Sequence, residues 1–214
     1  MSFSIKGIRI VLSYPLAAAM TAAILADSSQ SVITCFVAAV LHECGHWFVM
    51  RYYGITPKEI RMSLFDIAII APQKQLCTVR QGVIIDLAGV TVNVFCAIIF
   101  LAVYFLYPQE WFLTAAGSHL MLFVFNSLPI MSLDGGHALT LLLSVHLGWE
   151  KAEHIVTIIS VILLVPLSVL GFLWLLRSKY NFTLLLSGMY LIAVLLKKCG
   201  SSASTRNSHF RSVK

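Results

Sequence analysis

The sequence predicts an all-α polytopic membrane protein of about six transmembrane helices, and three observations predict it. Of the 214 residues, 59% are hydrophobic and 11% charged, where a soluble domain carries about a quarter charged residues. The uncharged residues fall in long blocks, each near the roughly 20 residues that cross a bilayer as a helix. Lys and Arg flank these blocks instead of forming a stripe of their own.

The spans are expected at 8–26, 31–52, 82–107, 112–129 with an irregular continuation, 155–176 and 180–196. Lys6 and Arg9 before an apolar run have the look of a signal peptide, but the run to Ala26 is longer than a usual signal core, so it reads as a retained first span. With both termini cytoplasmic, all 15 Lys and Arg except Arg177 and Lys179 fall on the inner side, which sets the expected orientation. Residues 1–198 read as one six-span domain and 199–214 as a basic, disordered cytoplasmic tail.

The loop between the second and third spans has its own pattern. In PKEIRMSLFDIAIIAP, Ile60, Met62 and Leu64 alternate with Glu59, Arg61 and Ser63, and prolines bound the run. Period two predicts strand, either a small membrane-associated hairpin or a sheet edge open to an extended peptide.

Composition also excludes several classes. The net charge of +6 comes from residues that border apolar blocks, without the basic, aromatic-interleaved surface of a nucleic-acid binder. Five scattered cysteines, an odd number with no CxxC pair, argue against a disulfide framework and a thiolate zinc site.

The chemistry gathers where ionisable groups interrupt the second span, in VLHECGHWF. His42 and His46 are four apart and share one face of a helix, with Glu43 beside them. This is the HExxH arrangement of two zinc ligands and a general base. His42 lies about 16 Å along the span, and His46 roughly one turn closer to the cytoplasm. Structural histidines are the bland alternative, but an ionisable Glu and two imidazoles in lipid are costly without a role.

A catalytic zinc takes a third protein ligand. The carboxylates available are Asp27, Glu59, Asp66, Asp86, Glu110, Asp134, Glu150 and Glu153. Asp27 and Glu110 fall on the outer side, and Glu150 and Glu153 beside Lys151 read as a solvated helix start. Asp86, close to Arg80, reads as structural. Asp134 stands in FNSLPIMSLDGGHALTLLL, where Pro129 stops a helix and Gly135 and Gly136 allow sharp backbone geometry. A broken fourth helix there could bring Asp134 level with the histidines, irregular backbone at that depth being tolerated where protein covers it.

The two motifs together resemble the site-2 protease family of intramembrane zinc metalloproteases, whose signatures are HExxH and NxxPxxxLDG. A weaker match is Gly89-Val-Thr-Val-Asn93, and the likeness covers about residues 30–150. FNSLPIMSLDGGH and the six-span plan look most like the branch that holds the stage IV sporulation protein FB. The resemblance implies His42, His46 and Asp134 as ligands of one zinc ion and Glu43 as catalytic base. It implies Asn126 and Asn93 as groups holding substrate or site, and Pro129 and Gly135 as shaping the broken segment.

The resemblance further implies a membrane-embedded or membrane-tethered protein substrate, such as a sporulation pro-sigma factor, cut in the cytoplasmic half of the bilayer. It leaves room for a regulatory membrane protein, since neither a PDZ-like insertion nor a CBS-like domain is recognisable. Two rivals stand against this reading. One is a non-catalytic zinc scaffold or metal carrier, although His119, His137, His146 and His154 form no ladder of ligands. The other is a different zinc peptidase using Glu150 or Glu153.

Overall fold

The computed structural model describes residues 2–5, 8–26, 31–63, 67–178, 189 and 192. The chain divides into two compact units, 1–128 and 129–214.

In the first unit, strands β1 (Ser2–Ile5) and β2 (Ile8–Leu12) precede helices α1 (Tyr14–Ala26) and α2 (Ser31–Tyr52). Strands β3 (Glu59–Met62) and β4 (Ile67–Ile70) follow, then a 3-10 turn (Pro72–Leu76) and helices α3 (Val79–Leu106) and α4 (Glu110–Asn126). The second unit holds α5 (Asp134–Leu147) and α6 (Trp149–Ser178).

The strands form one sheet in the order β1-β2-β3-β4. β1 and β4 pair antiparallel with their neighbours, and β2 runs parallel to β3 with Ile10 opposite Ile60. The expected first span is therefore split. Residues 8–12 are strand because Ile8, Ile10 and Leu12 alternate with Arg9 and Val11, and β3 offers them a ladder. Helix begins beyond it, with Pro15 in the first turn of α1. At 13 residues, α1 is about 20 Å long, short of the roughly 30 Å hydrocarbon core. The loop after α2 is strand as expected, although it belongs to a four-stranded sheet instead of a lone hairpin.

Among the described residues, six helices are present, and α2, α3 and the 149–170 part of α6 are long and apolar enough to cross a membrane. The expected span at 180–196 and the tail at 199–214 lie outside the described residues, apart from Met189 and Ile192.

α3 opens with a full capping box. Thr78 Oγ1 accepts from the Gln81 backbone N–H, and the Gln81 side chain accepts from the Thr78 N–H, satisfying donors that the first turn leaves orphaned. α2 packs against α3 and α4, and α3 against α4. The α2–α3 approach is close because Gly45 has no side chain. A Cβ there would stand 2.8 Å from the Ala88 carbonyl oxygen. Met50, Ile55, Ala71 and Ile85 form a buried cluster where the end of α2, β4 and the start of α3 meet.

Helix stops at Asn126, the end of α4, and resumes only at Asp134, the start of α5 in the second unit, so the apolar stretch is broken as expected. The connecting segment is anchored through Met131, whose N–H donates to Ser160 Oγ at 2.8 Å, while Ile130 is fully buried. A Cβ on Gly136 would collide with the Ile130 carbonyl, so the chain can turn into α5 only over a bare glycine. Gly148, at φ 78°, reverses the chain between α5 and α6.

Asp86, 2% exposed, pairs with Lys74 of the 3-10 turn at 2.7 Å. The pair ties the sheet-bearing segment to α3. Removing the cation leaves a desolvated carboxylate, so Lys74→Ala is expected to cost about 1.5–3 kcal/mol. Thermal unfolding in detergent checks this, with Lys74→Arg expected to keep most of the stability.

Candidate metal centre

α2 places His42 and His46 one turn apart, and both side chains are buried, 5% and 8% exposed. Their rings meet edge to face, with Nε2 of one 3.2 Å from Nε2 of the other. Each remaining ring nitrogen has a partner on α3. His46 Nδ1 donates to the Ile85 carbonyl at 2.7 Å. His42 Nδ1 lies 2.9 Å from the side-chain amide of Asn93, a fully buried residue.

Ile85, Gly89 and Asn93 are spaced four apart and so form one stripe of α3 facing the two rings. Gly89 is what lets the rings sit there. A Cβ on it would fall 2.5 Å from His46 Nε2 and 2.7 Å from His42 Nε2.

Asp134 is the first residue of α5, and its carboxylate completes the set. Ligand atoms of His42, His46 and Asp134 all lie within 4.8 Å of one another. The donor types are those of a catalytic zinc, two imidazoles and a carboxylate. The geometry fits as well: tetrahedral bonds of about 2.05 Å put neighbouring ligands about 3.3 Å apart, close to the 3.2 Å between the imidazole nitrogens. Backbone or side-chain partners on the far ring nitrogens are what a metal-binding histidine needs to hold its orientation.

Glu43 is half-buried on α2 and borders a cavity of about 160 Å³. The cavity wall opposite α2 is the β3–β4 hairpin, where the cross-strand pairs Ile60–Ile69 and Met62–Ile67 both face inward. A carboxylate therefore stands beside an apolar recess with a sheet as its floor.

The other expected site residues are placed as follows. Asn126 ends α4, and its Nδ2 donates to the Leu122 carbonyl at 3.0 Å. Pro129 lies in the segment between α4 and α5, and Gly135 is the second residue of α5. Asp86 pairs with Lys74. His119 of α4, read from the sequence only as one of four histidines that form no ladder of ligands, packs behind the site. It is 2% exposed and reaches Asn93 Oδ1 with Nδ1 at 3.0 Å. Its signal was faint: a histidine in an apolar helix beside small residues, without a motif.

No family model matches the chain. It is 32% identical over 131 residues to the zinc metalloprotease MJ0392 of Methanocaldococcus jannaschii, an alignment covering 58% of this chain. The chain spans 37% of that relative's length. Among solved structures, the site-2 protease from Methanocaldococcus jannaschii matches with a TM-score of 0.63 at 25% identity, covering 92% of this chain and 94% of that one.

Gly89→Ala is expected to lower zinc affinity by at least about tenfold, the scale on which disturbing a ligand's immediate support acts. Competition with a chelator measures it, and Gly117→Ala, where a Cβ meets open space, should leave affinity unchanged. The chain carries the site-2 protease fold, with an intact His-His-Asp site that fits one zinc ion.

Proposed function

We infer that the chain is an intramembrane zinc endopeptidase that cuts a membrane-embedded or membrane-tethered protein. The observation that carries this is Glu43. It sits on the same helix turn as the two imidazole ligands and borders an apolar cavity floored by sheet.

His42, His46 and Asp134 would hold the metal. Zinc supplies Lewis-acid chemistry, polarising a carbonyl and making water acidic enough to ionise near neutral pH. Glu43 accepts the proton of the attacking water and passes it to the leaving amine. The water oxygen bonds to the acyl carbon, the C–N bond breaks, and a carboxylate and an amine leave.

A transmembrane substrate hides its amides in helical hydrogen bonds, so a cut requires local unwinding. β4 lies at one end of the sheet order, and a strand added beside it would regain main-chain bonds. Alternate side chains of that strand would continue the face that lines the cavity. About 160 Å³ is comparable to the 150 Å³ cavity that accepts a benzene ring. One large apolar side chain therefore fits beside Glu43.

Several finer assignments belong to the same proposal. The Lys and Arg distribution supports cytoplasmic termini and a site in the cytoplasmic half of the bilayer. FNSLPIMSLDGGH supports the stage IV sporulation protein FB branch, and with it a pro-sigma-factor-like substrate. Asn126 is assigned to holding substrate, and Pro129 and Gly135 to the shape of the segment before α5.

Glu43→Gln separates catalysis from metal binding. The variant is expected to keep zinc at wild-type stoichiometry while cleavage of single-span tethered reporters falls by about 10²–10⁴-fold. Zinc content by atomic spectroscopy and reporter cleavage on gels check this. Undiminished cleavage by the variant would remove Glu43 from the mechanism, and a wild type that binds zinc but cuts none of the panel would support a non-catalytic scaffold.

A further inference from the structure

The cations of the first unit gather at one end of it. Its described Lys and Arg residues are Arg9, Arg51, Lys58, Arg61, Lys74 and Arg80, and all lie in or beside the sheet, at the close of α2, in the 3-10 turn or in the first turn of α3. At the opposite end, where α2 and α4 begin and α3 stops, the charged side chain among the described residues is Glu110. Two acids at the sheet end are already engaged: Glu59 holds Arg61 and Asp86 holds Lys74, each at 2.7 Å. Arg9, Arg51, Lys58 and Arg80 are exposed and have no acidic partner among the described residues.

The sheet separates these charges from the cavity. Arg9 is in register with Glu59, and Val11 with Arg61, whereas Ile10 and Leu12 are in register with Ile60 and Met62. Ile60 and Met62 line the cavity beside Glu43, so Arg9 and Arg61 occupy the other face. The Arg9 backbone N–H donates to the Lys58 carbonyl at 2.9 Å, and the two unpaired cations therefore issue from adjoining backbone.

Two exposed apolar side chains stand among the cations. Tyr52, next to Arg51 at the close of α2, is 85% exposed, and Leu76 of the 3-10 turn is 86% exposed. Single exposed apolar residues are ordinary, and so are cations at the end of a span. Their coincidence points to one surround, the headgroup layer, where rings and alkyl groups reach the acyl boundary while cations reach phosphate. An acidic protein segment or a polynucleotide would engage the cations but leave Tyr52 and Leu76 in water.

We propose that this end of the first unit, centred on Arg9 and Lys58, binds the phosphate of anionic phospholipid headgroups. Four unpaired basic residues beside a span are enough to select acidic lipid. β2 is bonded to β3 along its length, so a held headgroup also fixes the cavity floor at the membrane surface. The inference rests on α2 and α3 crossing a membrane and is independent of the zinc chemistry.

The test is native mass spectrometry of the full chain in neutral detergent micelles, titrated with phosphatidylglycerol or with phosphatidylcholine of the same acyl chains. Each surface cation contributes about fivefold in affinity, so two are expected to make phosphatidylglycerol bind about 25-fold more tightly. Arg9→Gln with Lys58→Gln is expected to lose about that factor for phosphatidylglycerol and nothing for phosphatidylcholine, while Arg9→Lys with Lys58→Arg keeps it. Arg206→Gln with Arg211→Gln lowers the net charge equally and is expected to change neither affinity. Equal affinities for the two lipids in the wild type overturn the proposal. An equal loss in the Arg206 and Arg211 variant also overturns it, since the preference would then follow net charge alone. A poly-glutamate peptide that binds more tightly than phosphatidylglycerol, and is lost with Arg9→Gln and Lys58→Gln, overturns it in favour of an acidic protein partner.

Discussion

Two imidazoles one turn apart can serve a metal only if something fixes their far nitrogens and nothing crowds the near ones. One stripe of α3 meets both demands. Ile85 offers its carbonyl to His46, Asn93 its amide to His42, and Gly89 between them offers no side chain. The spacing of four that makes His42 and His46 neighbours on α2 recurs as 85, 89 and 93 on α3. The crossing of the two helices follows from it, since Gly45 of α2 must also be bare against Ala88. In this sense the packing of α2 on α3 and the chemistry of the site are one constraint.

An apolar surround makes that constraint strict. A polar group buried in lipid or protein without a partner costs far more than its hydrogen bond returns when made. Three deeply placed polar groups show how the chain answers: Asn93 lies between two histidines, Ser160 under the Met131 N–H, and one Asp86 oxygen against Lys74. The same logic explains a sheet beside the base. The strands at 2–5, 8–12, 59–62 and 67–70 pair with one another, and the apolar side chains Ile60, Met62, Ile67 and Ile69 face α2.

Much of this was legible in the residues. HECGH and NSLPIMSLDG are long, independent motifs, and the structure brings His42, His46 and Asp134 together. The limits of α2 were read to the residue, because both ends of that apolar block are marked by polar sequence. A break at Pro129 was legible from proline and glycine chemistry, whereas the point at which helix resumes, Asp134, was not. The N-terminal strands were not legible in advance: residues 8–26 form one apolar run, and hydropathy does not distinguish strand from span. The alternation of Ile8, Ile10 and Leu12 with Arg9 was the available signal, and its meaning depended on a partner strand some fifty residues away. His119 was hidden for a related reason. Its partners Asn93 and Phe100 lie on α3, and no spacing within α4 encodes that contact.

The claim on which the account turns is that one zinc ion is held by two imidazoles and a carboxylate. X-ray absorption at the zinc edge of the loaded protein tests it most directly. The account predicts nitrogen and oxygen scatterers at about 2.0–2.2 Å, with an imidazole signature for two rings and no sulfur shell. A scatterer at about 2.3 Å, the distance of a thiolate such as Cys44, or a spectrum unchanged in Asp134→Ala, would contradict it.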